Sequence, residues 1–195
     1  MQQLIEDEIS RQRDKTATNV IGYFHQNIFR YFPNCVVPRE GWDVIVTQKD
    51  GTKIYVEMKN KHNTMNAASS QKTYIQMQNQ IMQTPNDFCF LVEAIAPCSR
   101  NIPWGCSVNK IHCEHAHIRR VSMDQFYAIV TGETTAFFEM CMQLPKTIEK
   151  IVRQNRNLTV QKDTVLEELQ QMHPDLQIAL YQLAFATYDG FSLLK

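Results

Sequence analysis

No apolar run in this 195-residue sequence approaches the roughly 18 residues that a helix needs to span a bilayer, so no membrane span is expected. A secretory or transit leader is missing too: the opening MQQLIEDEISRQRDK is polar and carries acids. Both absences imply a cytoplasmic protein. The six cysteines (Cys35, Cys89, Cys98, Cys106, Cys113, Cys141) are scattered and contain no C-x-x-C, which excludes a secreted disulfide framework and implies free thiols. Charge of neither sign is in excess, with 20 Lys and Arg against 20 Asp and Glu. On the total alone this speaks against a polyanionic partner. Internal repeats and low-complexity segments are likewise missing. What remains is an ordinary globular composition, long enough for one domain over residues 1–195 with a substantial core.

Acids are also missing locally, and that changes the reading of the zero net charge. From Met58 to Asn86 there is no Asp or Glu, while Lys59, Lys61 and Lys72 stand among Asn, Gln, Ser and Thr. Pro97 to Val121 sets Arg100, Lys110, Arg119 and Arg120 against Glu114 alone. Pro145 to Lys162 is similarly basic, and the acids collect at Glu6 to Glu8 and Asp163 to Asp175. Charge segregated in this way can neutralise a polyanion locally. The alternative is a set of ordinary solvated faces.

Hydrophobic spacing gives an α/β order. Gln2 to Phe32 has helical spacing at Ile21, Phe24, Ile28 and Phe29, with Pro33-Asn34 as the stop. Val36 to Met58 has the pattern of strands, and Ser69 to Gln83 that of an amphipathic helix ended at Thr84-Pro85. FCFLVEAIA, Phe88 to Ala96, suits a buried central strand. Pro97 to Arg120 has little periodicity and predicts loops and short strands. SMDQFYAIVTG predicts a helix with Ser122 and Gln125 in capping-box spacing and Gly132 as its stop. Thr134 to Lys195 predicts helices interrupted at Pro145, near Asn155 to Asn157 and at Pro174.

The stretch GWDVIVTQKDGTKIYVEMKNKHN carries the chemistry. A three-residue loop Lys49-Asp50-Gly51, with Gly51 in the left-handed region, pairs Gln48 with Thr52. One face then receives Val46 with Ile54, Val44 with Val56 and Trp42 with Met58; the other receives Thr47 with Lys53, Ile45 with Tyr55 and Asp43 directly opposite Glu57. Two facing carboxylates destabilise a sheet unless a cation or a proton joins them. Lys59 projects from the face of Glu57. An Asp, a Glu and a Lys so placed form a hard oxygen site suited to Mg²⁺ beside a cationic group that can hold a water. The plainer alternative is a surface ion pair between Lys59 and Glu57, which leaves Asp43 unexplained.

This constellation resembles the PD-(D/E)XK nuclease superfamily, with Asp43 as the first acid, Glu57-Met58-Lys59 as the second half, and Trp42 where the nominal motif has proline. Within it, VEMKNKHNTMNAASSQKTYIQMQNQ is similar to the type II restriction endonucleases that cut GGNCC sites, and SMDQFYAIVTG resembles a segment shared by several restriction enzymes. The likeness extends from about Asp14 through Gly190. It implies a restriction-endonuclease-like α/β core, a central mixed β-sheet flanked by helices. It also implies Mg²⁺-dependent hydrolysis of double-stranded DNA that leaves 5′-phosphate ends. Asp43, Glu57 and the backbone carbonyl of Met58 would hold the metal, and Lys59 would orient or help deprotonate the attacking water. A palindromic target implies a homodimer, and a cognate DNA methyltransferase is implied in the same system.

Lys61, His62, Asn63 and Lys72 follow the motif as candidate DNA contacts. Arg100, Lys110, Arg119 and Arg120 are candidates for guanine readout through O6 and N7. Two other readings stand beside the restriction enzyme. One is a repair or structure-selective nuclease of the same superfamily. The other is a non-catalytic DNA-binding module, with structural zinc at Cys106 to His117 as a variant of it.

Overall fold

The computed structural model describes residues 23–62, 65–154 and 165–174, with isolated positions 7, 10, 11, 176 and 179. They fall into two compact units, residues 19–151 and residues 1–18 with 152–195. Asn63, Glu6, Glu8 and the break expected near Asn155 to Asn157 lie outside the described residues. Among the described residues no helix is long and apolar enough to cross a membrane.

The larger unit is built on a six-stranded mixed sheet. Its elements are β1 (Cys35–Val36), β2 (Val44–Thr47), β3 (Lys53–Lys61), helix α1 (Ala67–Gln83), β4 (Phe88–Ile95), β5 (Asn101–Pro103), β6 (Cys106–Val108), β7 (Ile111–Cys113), β8 (Ile118–Ser122), helix α2 (Met123–Thr131) and all but the last three residues of helix α3 (Ala136–Gln154). Strand order is β1-β2-β3-β4-β8-β5, with β6 and β7 forming a separate ribbon. β3, β4 and β8 run parallel, while β1, β2 and β5 join antiparallel. A parallel strand covered on both faces is an apolar run rather than an alternating one. β4 shows this directly: five consecutive residues, Cys89 to Glu93, are buried.

Two apolar clusters cover the faces. One joins Val44, Val46, Ile54, Val56, Phe90 and Val92 to Phe29 and to Met123, Phe126, Tyr127 and Val130 of α2. The other joins Cys89, Leu91 and Ile118 to Tyr74, Met77 and Ile81 of α1 and to Trp104. The α1 helix begins two residues earlier than its apolar spacing suggests, because the Asn66 side chain accepts from the Ser69 N–H and caps it.

The hairpin register is the one that the alternation requires: Val44 with Val56, Ile45 with Tyr55, Val46 with Ile54, Thr47 with Lys53. Gly51 closes the loop at φ +88° and its N–H donates to the Gln48 carbonyl at 3.0 Å. A Cβ at Gly51 meets nothing within 4 Å, so a side chain there costs backbone conformation alone. Gly51→Ala is therefore expected to lose about 1–2 kcal/mol in denaturant unfolding, and Gly51→Asn less, since Asn tolerates the left-handed region.

Three expectations are corrected. Pro145 does not interrupt α3, which runs from Ala136 to Gln154. The residue is exposed, so water can take the carbonyl that the missing N–H leaves without a partner. Ser122 is the N-cap of α2 but its side chain makes no capping bond. Its Oγ instead accepts from the Arg100 N–H at 2.9 Å, and Gln125 turns to Ser99. Gly132 does stop the helix, at φ +81°. The third correction, at Trp42 and Asp43, shapes the site itself.

Candidate active site

β2 begins at Val44, so its ladder stops one residue short of the expected Asp43–Glu57 pair. The Asp43 N–H donates at 3.0 Å to the carbonyl of Val56, the residue already partnered by Val44. Two residues thus face one, as in a β-bulge, and the alternation changes phase. Trp42 accordingly packs on Tyr55, ring centroids 5.6 Å apart, rather than beside Met58 on the opposite face. Period counting could not have shown this, because a bulge inserts a residue without altering composition.

The bulge gives Asp43 a different role from that of a cross-strand partner. Alternation along β3 turns the N–H and carbonyl of Met58 toward β2, where the ladder has already ended. The Asp43 Oδ2 takes the place of the absent strand and accepts from the Met58 N–H at 2.7 Å. Burial pushes the Asp43 pKa above the usual carboxylate range; the Met58 N–H opposes that, the Glu57 charge adds to it, and Lys59 lowers it. A partly buried carboxylate raised by desolvation beside a second carboxylate is a place where a cation would be favoured. The donor set is all oxygen: Asp43, Glu57 and the Met58 carbonyl on the same edge. Such hard donors fit Mg²⁺.

Glu57 and Lys59 share one face of β3, and Lys59 Nζ lies 2.7 Å from Glu57 Oε1. The simple ion pair anticipated as the plain alternative is therefore present. It does not stand alone, since both charges act on Asp43.

A second charged group adjoins the first. Register pairs Lys59 of β3 with Glu93 of β4, and Glu93 with Ser122 of β8. Glu93 is 1% exposed. Its Oε2 accepts from Arg100 Nη2 at 2.6 Å, its Oε1 from Arg120 Nε at 2.8 Å, and His62 Nδ1 lies 3.0 Å from Oε1. Burial alone would raise the Glu93 pKa, but the hydrogen bonds from Arg120 and Arg100 outweigh it and hold the carboxyl below its ordinary value. Sequence reasoning named His62, Arg100 and Arg120 but missed the carboxylate that collects them. The available signal was a lone acid inside FCFLVEAIA, since an acid buried in a central strand needs partners.

The other candidates go elsewhere. Lys61 ends β3 and is exposed, and Lys72 is exposed on α1. Lys110 forms the tip of the β6–β7 ribbon with Asn109, both at positive φ. Arg119 is spent on Asn101 and on the Ala116 carbonyl. In the segment considered for zinc, Cys106 and Cys113 pair across the ribbon, while His117 stacks on Phe88 at 4.3 Å. Among the described residues no three His, Cys, Asp or Glu side chains converge as a metal-binding group.

Comparison with known proteins bears on this site. The family model described as Eco47II restriction endonuclease matches residues 1–153. The type II restriction enzyme Sau96I of Staphylococcus aureus is 30% identical over 157 residues, covering 76% of this chain and 60% of that protein. The type II restriction enzyme Eco47II of Escherichia coli is 28% identical over 161 residues, covering 74% of this chain and 64% of that protein. The chain thus spans less than two thirds of the length of either relative. No solved structure matches it. With a mixed α/β sheet, an acid pair beside Lys59 and a family match over most of its length, the chain belongs to the Eco47II restriction endonuclease family.

Proposed function

We propose that this protein is a type II site-specific deoxyribonuclease, hydrolysing double-stranded DNA with Mg²⁺ at a short palindrome, GGNCC, and leaving 5′-phosphate ends. The observation that carries the reading is the Asp43 carboxylate, anchored on the Met58 N–H and raised by burial next to the Glu57–Lys59 pair. Asp43, Glu57 and the Met58 carbonyl are the groups that would hold the metal, which supplies charge stabilisation at the anionic phosphodiester and a more acidic water. Lys59, anchored on Glu57, holds a proton-bearing group beside the reacting phosphorus. There it orients the water and offsets the negative charge that develops as the ester bond breaks. The bulge fixes Asp43 by a backbone contact, so its position does not depend on the ligand being bound. The GGNCC preference rests on the resemblance of Val56 to Gln80 to enzymes that cut that site. A two-fold target calls for two copies of one active centre, hence a homodimer.

The test is incubation of unmethylated plasmid with the protein and Mg²⁺, with EDTA and Asp43→Ala controls, followed by end sequencing. Discrete fragments ending at GGNCC are expected, and none in either control. Metal-dependent cutting without that preference would leave the chemistry and reject the specificity. DNA binding without any cutting would reject the enzyme.

A further inference from the structure

Beside the acid pair is a cavity of about 60 Å³, lined by Lys59, Lys61, Met65, Ser70, Glu93, Trp104 and Arg120. Three of these side chains are cationic and one is a carboxylate. Behind the wall, Glu93 also holds Arg100. Two guanidiniums on one carboxylate leave the group with net positive charge. The Arg100 Nε is buried without a hydrogen-bond partner. Ser70, also in the wall, belongs to α1, whose first turn contains no acid. Everything charged around the cavity except Glu93 attracts an anion, and Glu93 is committed to the arginines.

We propose that this cavity is a second phosphate subsite, which takes the DNA phosphate next to the one that is cut, with Lys61, Arg120 and Ser70 as its contacts. The proposal rests on the nuclease reading and deepens it. The volume has room for the non-ester oxygens of a phosphate, since a few waters would fill it. Lys59 belongs both to the cavity wall and to the Glu57 pair, so an anion seated here lies one step along the strand from the acid pair. Glu93 is a positioning residue: it fixes Arg120 and Arg100, whose long side chains would otherwise have to be ordered at each binding event. Phosphate contacts of this kind set the register of a duplex without reading its sequence.

The test is the salt dependence of binding to a duplex that contains a GGNCC site, measured with the full chain in EDTA. The slope of log K against log salt should shrink by about 0.9 for every phosphate that a variant no longer neutralises. Lys61→Ala and Arg120→Gln are each expected to show that smaller slope, and Arg120→Lys to restore it, with no change in the preferred sequence. Unchanged slopes in Lys61→Ala and Arg120→Gln, with wild-type binding intact, overturn the subsite while leaving the nuclease reading in place. Wild-type protein that neither binds nor cuts DNA overturns both. Should Arg120→Gln fail to fold, Lys61→Ala decides alone, because Lys61 is exposed at the strand end.

Discussion

Asp43→Asn will abolish cleavage and yet raise the melting temperature of the protein measured in EDTA. The loss follows from the proposed ligand set: if Asp43 and Glu57 hold the metal, removing one of the two carboxylates forfeits charge stabilisation of several kcal/mol, or roughly 10³-fold or more in rate. The gain follows from the direction of the Asp43 shift. A carboxyl whose folded pKa is raised, first by burial and then by Glu57, penalises the folded state at every pH above that raised value, and is relieved as the pH falls through it. Asparagine removes the charge and still offers an oxygen to the Met58 N–H. Added Mg²⁺ should stabilise the wild type, since a ligand that binds only the folded state adds to its stability, and should do little for the variant. Thermal scans with and without the metal measure both. A variant less stable than wild type in EDTA would show that Asp43 is held for structure rather than for chemistry.

Glu93→Ala is expected to produce the largest loss of stability of any single substitution in the sheet's charged row. Taking away one partner of a buried ion pair leaves the other charge uncompensated and typically costs about 3–5 kcal/mol. The side chains of Arg100 and Arg120 keep some contact with water, at 16% and 19% exposure, which puts the expected loss at the lower end. A loss of about 3 kcal/mol corresponds to a fall of roughly 6–12 °C in melting temperature for a chain of this size. The pH dependence has the opposite sign to that of Asp43. Because the Glu93 pKa is depressed, its contribution is complete above the ordinary carboxylate range and disappears as the pH falls through the depressed value. The variant should therefore lose less stability than wild type on acidification, which urea titrations at pH 7 and below pH 4 would show.

The parts of this protein legible in its sequence are those where a local period and a local turn agree. From Gln48 to Thr52 outward to Val44 and Val56, alternation and the left-handed Gly51 specify one register, and the sheet has it. Legibility fails at Asp43, where a bulge shifts the phase. It fails again at Ser122, whose hydroxyl finds Arg100, distant in sequence, in place of its own helix. Pro145 shows the same limit from the other side, since a helix-breaking residue is tolerated where its unpaired carbonyl meets water. The candidate site divides in the same way. Glu57 and Lys59 are two residues apart and could be found by spacing. The partners of Glu93 are 7, 27 and 31 residues from it, and nothing in a single sequence says which of several arginines a lone buried acid will meet.

That division bears on the order in which the molecule assembles. The hairpin that brings Asp43 to Glu57 closes a loop of three residues, among the quickest events in folding, whereas joining Glu93 to Arg120 requires β4 and β8 to meet across the whole β5–β7 excursion. Chain entropy thus favours early formation of the half that carries Asp43, Glu57 and Lys59 and late formation of the half in which Glu93 gathers its arginines. On the nuclease reading proposed above, cleavage competence would arrive only when the slow pairing is complete, and a partly folded chain would carry the acids without the basic cluster beside them.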